Sequence, residues 1–219
     1  MKSEIIKKTL KNGLKIIHLK NKAKSIFIHA HVNVGSQNET KENNGISHFL
    51  EHVLWQGTTT KTAQEIQKIT KENDLNYNAF TTFKRTTYSI FGPRRKYKQM
   101  AEILLDVIQN PLFDEKEIER ERNVILDEYK QNQDDPKIYL SNKLMSNIFK
   151  EHSLEKPIIG TEENIKNLKK EQIIEYYEKY YVPNNIIITI SGGLENPEQT
   201  IEENYKKQPK DVAQRQTTT

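Results

Sequence analysis

The chain has 219 residues, 34% hydrophobic and 29% charged, which is enough apolar material for one folded domain with a sizeable core. Lys plus Arg number 34 against 30 for Asp plus Glu, and the signs are interleaved, as in Glu119-Arg120-Glu121-Arg122; this is a solvated surface and not a nucleic-acid-binding stripe. With no cysteine, disulfides, thiolate nucleophiles and Cys-based zinc sites are excluded, so any zinc must be held by His and carboxylates.

In chain order, residues 5–9 and 14–19 read as strands flanking Lys11-Asn12-Gly13, the Asn-Gly step that signals a hairpin. Met1-Lys2-Ser3-Glu4 leads into the first strand without an apolar signal core. No stretch reaches the roughly 18 apolar residues of a membrane span. The expectation is a cytoplasmic protein with no membrane partner. Ile26, Ile28, Ala30, Val32 and Val34 then alternate with Phe27, His29, His31 and Asn33, giving a strand with one apolar face. His29 and His31 share the other face, where exposure or packing under a helix is expected in preference to metal binding.

After Gly35-Ser36 a polar loop leads to Gly45 and to His48-Phe49-Leu50-Glu51-His52. On a helix, residues four apart lie one above the other, about 6 Å along the axis, so both imidazoles can share one ion. Glu51 falls between them in azimuth, where its carboxylate reaches solvent beside that ion. Phe49, Leu50, Val53 and Leu54 make the other faces apolar, with Trp55 extending the polar stripe, so the helix should be buried with that stripe lining a cleft. With six His in 219 residues, chance would produce such a string about 0.02 times.

Thr62-Ala63-Gln64-Glu65 is a capping box opening a helix to about Lys71. Residues 76–83 and 86–91 read as a hairpin turning at Lys84-Arg85, and a helix follows over 95–109, stopped by Asn110-Pro111. Asp114-Glu115-Lys116-Glu117 caps a helix running to about Gln133. Glu121 and Glu128, seven apart, project from one face of it, with Ile118, Val124 and Ile125 in the same stripe. A carboxylate on an apolar helix face is costly unless paired or bound to a cation, which Glu128 would satisfy by facing the ion. A helix over 136–149, with Leu140, Leu144 and Ile148 at helical spacing, precedes a loop at 156–161 and a helix pair at 162–167 and 170–180. The run 186–190 reads as a central strand buried on both faces, followed by a helix over 197–207 and an exposed tail or linker start at 208–219. Clustered strands separated by helix runs indicate an α+β fold.

Three stretches carry a family resemblance: Gly45-Ile46-Ser47-His48-Phe49-Leu50-Glu51-His52, then Asn78-Ala79-Phe80-Thr81 with Thr86 and Tyr88, then Glu121-Arg122-Asn123-Val124-Ile125-Leu126-Asp127-Glu128. With Pro157-Ile158-Ile159-Gly160-Thr161-Glu162-Glu163-Asn164-Ile165 and Tyr181-Val182-Pro183-Asn184-Asn185, the chain resembles the N-terminal catalytic domain of the pitrilysin/insulinase-type zinc metallopeptidases, which carry an inverted metal motif. The resemblance implies a domain over 1–207 built on a mostly antiparallel sheet of five to six strands, packed on one side by helices. It implies that His48, His52 and Glu128 bind zinc, an open two-imidazole, one-carboxylate set. Glu51 would be the general base, moving a proton from the attacking water to the leaving amine. Glu121, the other residue given a catalytic role, would orient a ligand or help proton transfer. Asn78, Ala79 and Phe80 would lie on an edge strand where an unfolded peptide substrate docks by β-addition.

The resemblance also implies a zinc-dependent endopeptidase that completes its site with a second homologous domain or chain, as a homo- or hetero-oligomer. The alternative is a non-catalytic scaffold subunit that grips peptides. Two departures stand out: Lys84 occupies a position that is usually acidic in the family, and Asn73-Asp74-Leu75-Asn76 stands where glycines usually precede the Asn-Ala step. Family members usually have two or four such domains, a later one supplying an Arg and a Tyr for the oxyanion. Nothing in these 219 residues matches those two, so either one domain pairs with another chain or the sequence is truncated.

Overall fold

A computed structural model describes residues 4–207; the tail expected at 208–219 lies outside the described residues. Six strands form one sheet: β1 (Glu4–Thr9), β2 (Lys15–Lys20), β3 (Ser25–Val32), β4 (Asn76–Thr81), β5 (Thr86–Pro93) and β6 (Ile186–Gly192). Their order is β1-β2-β6-β3-β5-β4, and only β2 and β6 run parallel. The first hairpin closes where the sequence places it, at Gly13, whose φ of 86° the turn requires. Register then follows from alternation. Ile26, Ile28, Ala30 and Val32 of β3 face the helices together with Tyr88 and Ile90 of β5 and Ile186, Ile188 and Ile190 of β6, and all are buried. Each fully buried Ile contributes about 1.5–3 kcal/mol, so slipping one strand by one residue would forfeit several such contributions.

Eight helices are described: α1 (Ile46–Leu54), α2 (Ala63–Glu72), α3 (Tyr97–Gln109), α4 (Glu115–Asp134), α5 (Pro136–Ile148), α6 (Glu162–Asn167), α7 (Lys170–Tyr180) and α8 (Pro197–Asn204). The Thr62 capping box forms as read: Thr62 accepts from Glu65 N while the Glu65 carboxylate accepts from Thr62 N. Asp114 caps α4 by accepting from Lys116 N and Glu117 N. The α+β class, the mostly antiparallel sheet and its strand number are as the sequence indicates.

Three expectations are corrected: burial of the last strand on both faces, the end of the last helix, and burial along α4 and α5. β6 sits between β2 and β3, but Ile187, Thr189 and Ser191 on its second face are only partly buried, because the described helices cover one side of the sheet. His29 and His31 lie on that uncovered side, their rings stacked 5.6 Å apart, with His31 bonded to Thr87 Oγ1 and Thr189 Oγ1. The last helix ends at Asn204 instead of reaching 207. Helical spacing on α4 and α5 did not mean burial: Val124 is 46% exposed, and Leu140, Leu144 and Ile148 are 68%, 55% and 61% exposed.

Candidate metal centre

Backbone geometry sets where α1 starts. Gly45 has φ 100°, and a Cβ there would lie 2.7 Å from Ile159 O and 2.9 Å from Gly160 Cα, so only glycine lets this segment pass over the 159–160 loop. α1 then buries Ile46, Phe49, Leu50, Val53 and Leu54, leaving His48, Glu51 and His52 on its remaining face. Trp55 does not extend a polar stripe; it is buried and stacks on Tyr77 at 4.3 Å.

A buried cation on α4 packs against α1. The Arg122 guanidinium sits 5.2 Å from the Phe49 ring centroid, and it donates to Leu168 O at 2.7 Å and to Ile165 O. With that anchor in place, the two carboxylates of α4 that the sequence singles out arrive at the imidazoles. Glu128 Oε2 lies 3.7 Å from His48 Nε2 and 3.6 Å from His52 Nε2. The three ligand atoms fall within 4.8 Å of one another. A tetrahedral zinc with bonds of about 2.0–2.1 Å spaces its ligand atoms roughly 3.3 Å apart, so both carboxylate edges match to within a few tenths of an ångström. Glu121 Oε2 meets His52 on its other nitrogen, Nδ1, at 3.1 Å, a position from which a carboxylate can hold the imidazole in one orientation. The residues present therefore fit a zinc ion in donor chemistry, and on the two carboxylate edges in spacing as well.

Glu51 lies beside this triangle with Thr81 Oγ1 donating to its Oε2 at 2.6 Å. Burial pushes its pKa up, and the Thr81 bond partly opposes that, so the environment favours a group able to take and return a proton. Burial lowers His48 to about 4. Burial also pulls on His52, but hydrogen bonds with Glu121 and Glu128 outweigh it and hold its pKa up at about 9. The His52 bond keeps the Glu128 pKa low.

His48, Glu51 and Glu128 open onto a cleft of about 470 Å³, whose other walls include Phe80, Phe83, Ile138, Met145 and Ile158. β4 is an edge strand, as expected, and Phe80 and Thr81 from it line the cleft, while Asn78 and Ala79 lie further along the same strand. Lys84 stands at the exposed tip of the β4–β5 turn.

Several contributors were given no role from sequence. Thr81 closes the Asn78-Ala79-Phe80-Thr81 stretch, and strand alternation sets it on the same face as Ala79. Buried Tyr88 and Tyr181 hydrogen-bond each other at 2.8 Å behind Glu51, and both feel its charge. The α5 wall, Ile138 and Met145, lies outside the Leu140, Leu144, Ile148 stripe that the sequence marks on this helix.

The family model described as "Insulinase (Peptidase family M16)" matches residues 15–162. A Rickettsia felis protein named "Uncharacterized zinc protease" is 35% identical over 188 residues, 85% of this chain and 46% of that protein. A Bacillus subtilis protein named "Uncharacterized zinc protease YmxG" is 34% identical over 187 residues, again 85% of this chain and 46% of that protein. The crystal structure of a protease from Helicobacter pylori superimposes with a TM-score of 0.89 at 26% identity, covering 95% of this chain and 52% of that one. The chain thus spans about half the length of the relatives it matches.

Proposed function

The chain belongs to the insulinase family of peptidases, family M16, and from that premise we propose that it is the zinc-binding catalytic unit of a metalloendopeptidase acting on unfolded peptides. The observation that carries this reading is the convergence of His48 Nε2, His52 Nε2 and Glu128 Oε2 from two separate helices, with Glu51 beside them in the same cleft. His48, His52 and Glu128 hold the metal. Zinc bound there supplies Lewis acidity, polarising a carbonyl and bringing the pKa of water to about 7.

This chain's own groups do the rest. Glu51 takes a proton from the attacking water on Oε1 or Oε2 and returns it to the leaving amine, its oxygen held in place by Thr81. Glu121 fixes the tautomer and plane of His52. The free edge of β4, through Asn78, Ala79 and Phe80, accepts the substrate main chain as an added strand, which draws the scissile bond across the cleft. A second homologous domain or chain completes the site, consistent with the chain's span of 46% of its zinc-protease relatives.

The test is metal content together with turnover. The protein should bind one zinc, and Glu51→Gln should keep the metal while losing peptide hydrolysis, assayed with and without the second half. Unchanged hydrolysis by Glu51→Gln refutes the base assignment. Zinc bound without turnover in either preparation supports the scaffold reading instead.

A further inference from the structure

Glu39 lies in the loop before α1, has only 6% of its surface exposed, and has no part in the chemistry above. Its Oε2 accepts from Gly45 N at 2.8 Å and from Asn44 Nδ2 at 2.9 Å, and its Oε1 accepts from Ser47 N at 2.9 Å. No cationic side chain pairs with this carboxylate among the described residues; Lys156 Nζ donates to the Glu39 backbone carbonyl instead. A buried carboxylate without a cation costs several kcal/mol unless hydrogen bonds and dipoles replace its hydration. Here those are the first free N–H groups of α1 and the positive end of that helix. α1 starts at a glycine and has no side-chain cap of its own, so Glu39 acts as the cap from six residues upstream.

The consequence falls on His48, the third residue of α1. The two imidazoles are held differently. His52 has Glu121 on Nδ1 at 3.1 Å, whereas His48 Nδ1 is buried with no hydrogen-bond partner among the described residues. No polar group behind the His48 ring sets its plane, so the ring inherits its position from the first turn of α1 and the packing around it. That turn is fixed by Glu39, by the Ser47 Oγ bond to Tyr176 OH at 3.0 Å and by the glycine contact with Gly160.

We propose that Glu39 is a positioning residue for the metal site: through the first turn of α1 it holds His48 in ligating geometry, the part Glu121 plays directly for His52. This rests on the zinc reading above. The experiment compares the 219-residue chain with Glu39→Gln, Glu39→Asp and, as a control matched for lost stability, Ile16→Val in β2. The readouts are the zinc dissociation constant, by competition with a chromophoric chelator, and the visible spectrum of the cobalt-loaded protein.

Glu39→Gln presents an amide NH₂ to N–H groups, so it should weaken zinc binding about 10- to 100-fold and alter the cobalt bands. Glu39→Asp should recover part of both, and Ile16→Val should change neither. Glu39→Gln with a lowered melting temperature but wild-type zinc affinity and cobalt spectrum overturns the proposal and leaves the zinc reading standing. A wild-type chain that binds no zinc overturns both. If Glu39→Gln does not fold, Asn44→Ala, which removes one of the three donors, must raise the dissociation constant in the same direction, and no change overturns the proposal.

Discussion

Removing Glu121 should weaken zinc binding far more than it weakens the fold. Glu121 makes two contacts, one to His52 Nδ1 at 3.1 Å and one to Arg120 Nη2 at 3.2 Å. The Arg120 side chain is more than half exposed, so that pair contributes about 0–1 kcal/mol and is screened by salt. The His52 contact is buried on the carboxylate side, and outer partners of ligating histidines are worth about 10- to 100-fold in metal affinity. The two variants separate charge from geometry. In Glu121→Gln the amide oxygen still accepts from Nδ1, so the tautomer survives and the loss should fall near tenfold. In Glu121→Ala Nδ1 loses its partner and the ring its orientation, so the loss should approach a hundredfold. Arg120→Ala should leave affinity within about twofold. Chelator competition gives the dissociation constants, and thermal unfolding of the zinc-free protein gives the stability change. If Glu121→Ala binds zinc as wild type does, or if Arg120→Ala matches it, Glu121 is a surface ion-pair partner and not the support of His52.

Three further predictions use other parts of the molecule. Burial first, then His29 and Arg85, lower the His31 pKa to about 4, so the folded state binds fewer protons than the unfolded one between pH 6.5 and 4. Its stabilising contribution is therefore complete above about 6.5 and lost as pH falls toward 4; allowing for a half-exposed ring it amounts to roughly 1 kcal/mol. Melting temperatures from pH 8 to 4.5 should fall less steeply for His31→Gln than for wild type, and parallel curves would contradict the linkage. Gly45→Ala places a Cβ 2.7 Å from Ile159 O at a φ of 100°, which should cost about 2–4 kcal/mol in denaturant unfolding; a loss under 1 kcal/mol would show that the 159–160 loop yields. Phe80, Ile138 and Met145 make an apolar wall opposite the metal ligands, so peptides with a bulky apolar side chain there should be preferred. Ile138→Asp should lower kcat/KM for them about tenfold relative to lysine-bearing peptides, and an equal loss on both would remove Ile138 from specificity.

What could be read without coordinates was whatever depends on local period. Capping at Thr62 and Asp114, the Asn-Gly hairpin and the i, i+4 imidazoles are short-range rules, and the structure realises each. Glu128 was legible for a different reason: an unpaired carboxylate on an apolar stripe advertises a missing partner. Partnership across the chain was not legible. Val124 reads as part of one stripe with Ile118 and Ile125, and Leu140 as part of one with Leu144 and Ile148, yet Val124 and Leu140 are exposed while Ile118 and Ile125 are buried, because period reports a face and not what covers it. The run 186–190 looked buried twice over, whereas alternation in burial appears only once β2 and β3 flank it on a sheet with a single helical layer. Glu39 had no signal at all. A cap supplied across a loop to a helix that begins at glycine matches no sequence spacing rule.

The charge inventory of the cleft favours the hydrolytic reading over a peptide-gripping scaffold. Glu51, Glu121 and Glu128 are gathered around two imidazoles, and Glu128 raises the pKa of Glu51 by its charge. With His48 held neutral by burial, His52 is the one imidazole left to offset three carboxylates. Gathering like charges in a partly buried site costs stability unless a cation shares it, and a groove that binds extended peptide by main-chain pairing needs none of them. A divalent ion held by His48, His52 and Glu128 would change that balance, because it would set a double positive charge among the gathered carboxylates. Glu51 is left as the carboxylate outside the triangle with its oxygen tethered by Thr81, so the group not consumed by the ion is the one placed to carry a proton. That division of labour, three groups for an ion and one for a proton, is what the proposed metal site requires and what peptide gripping does not.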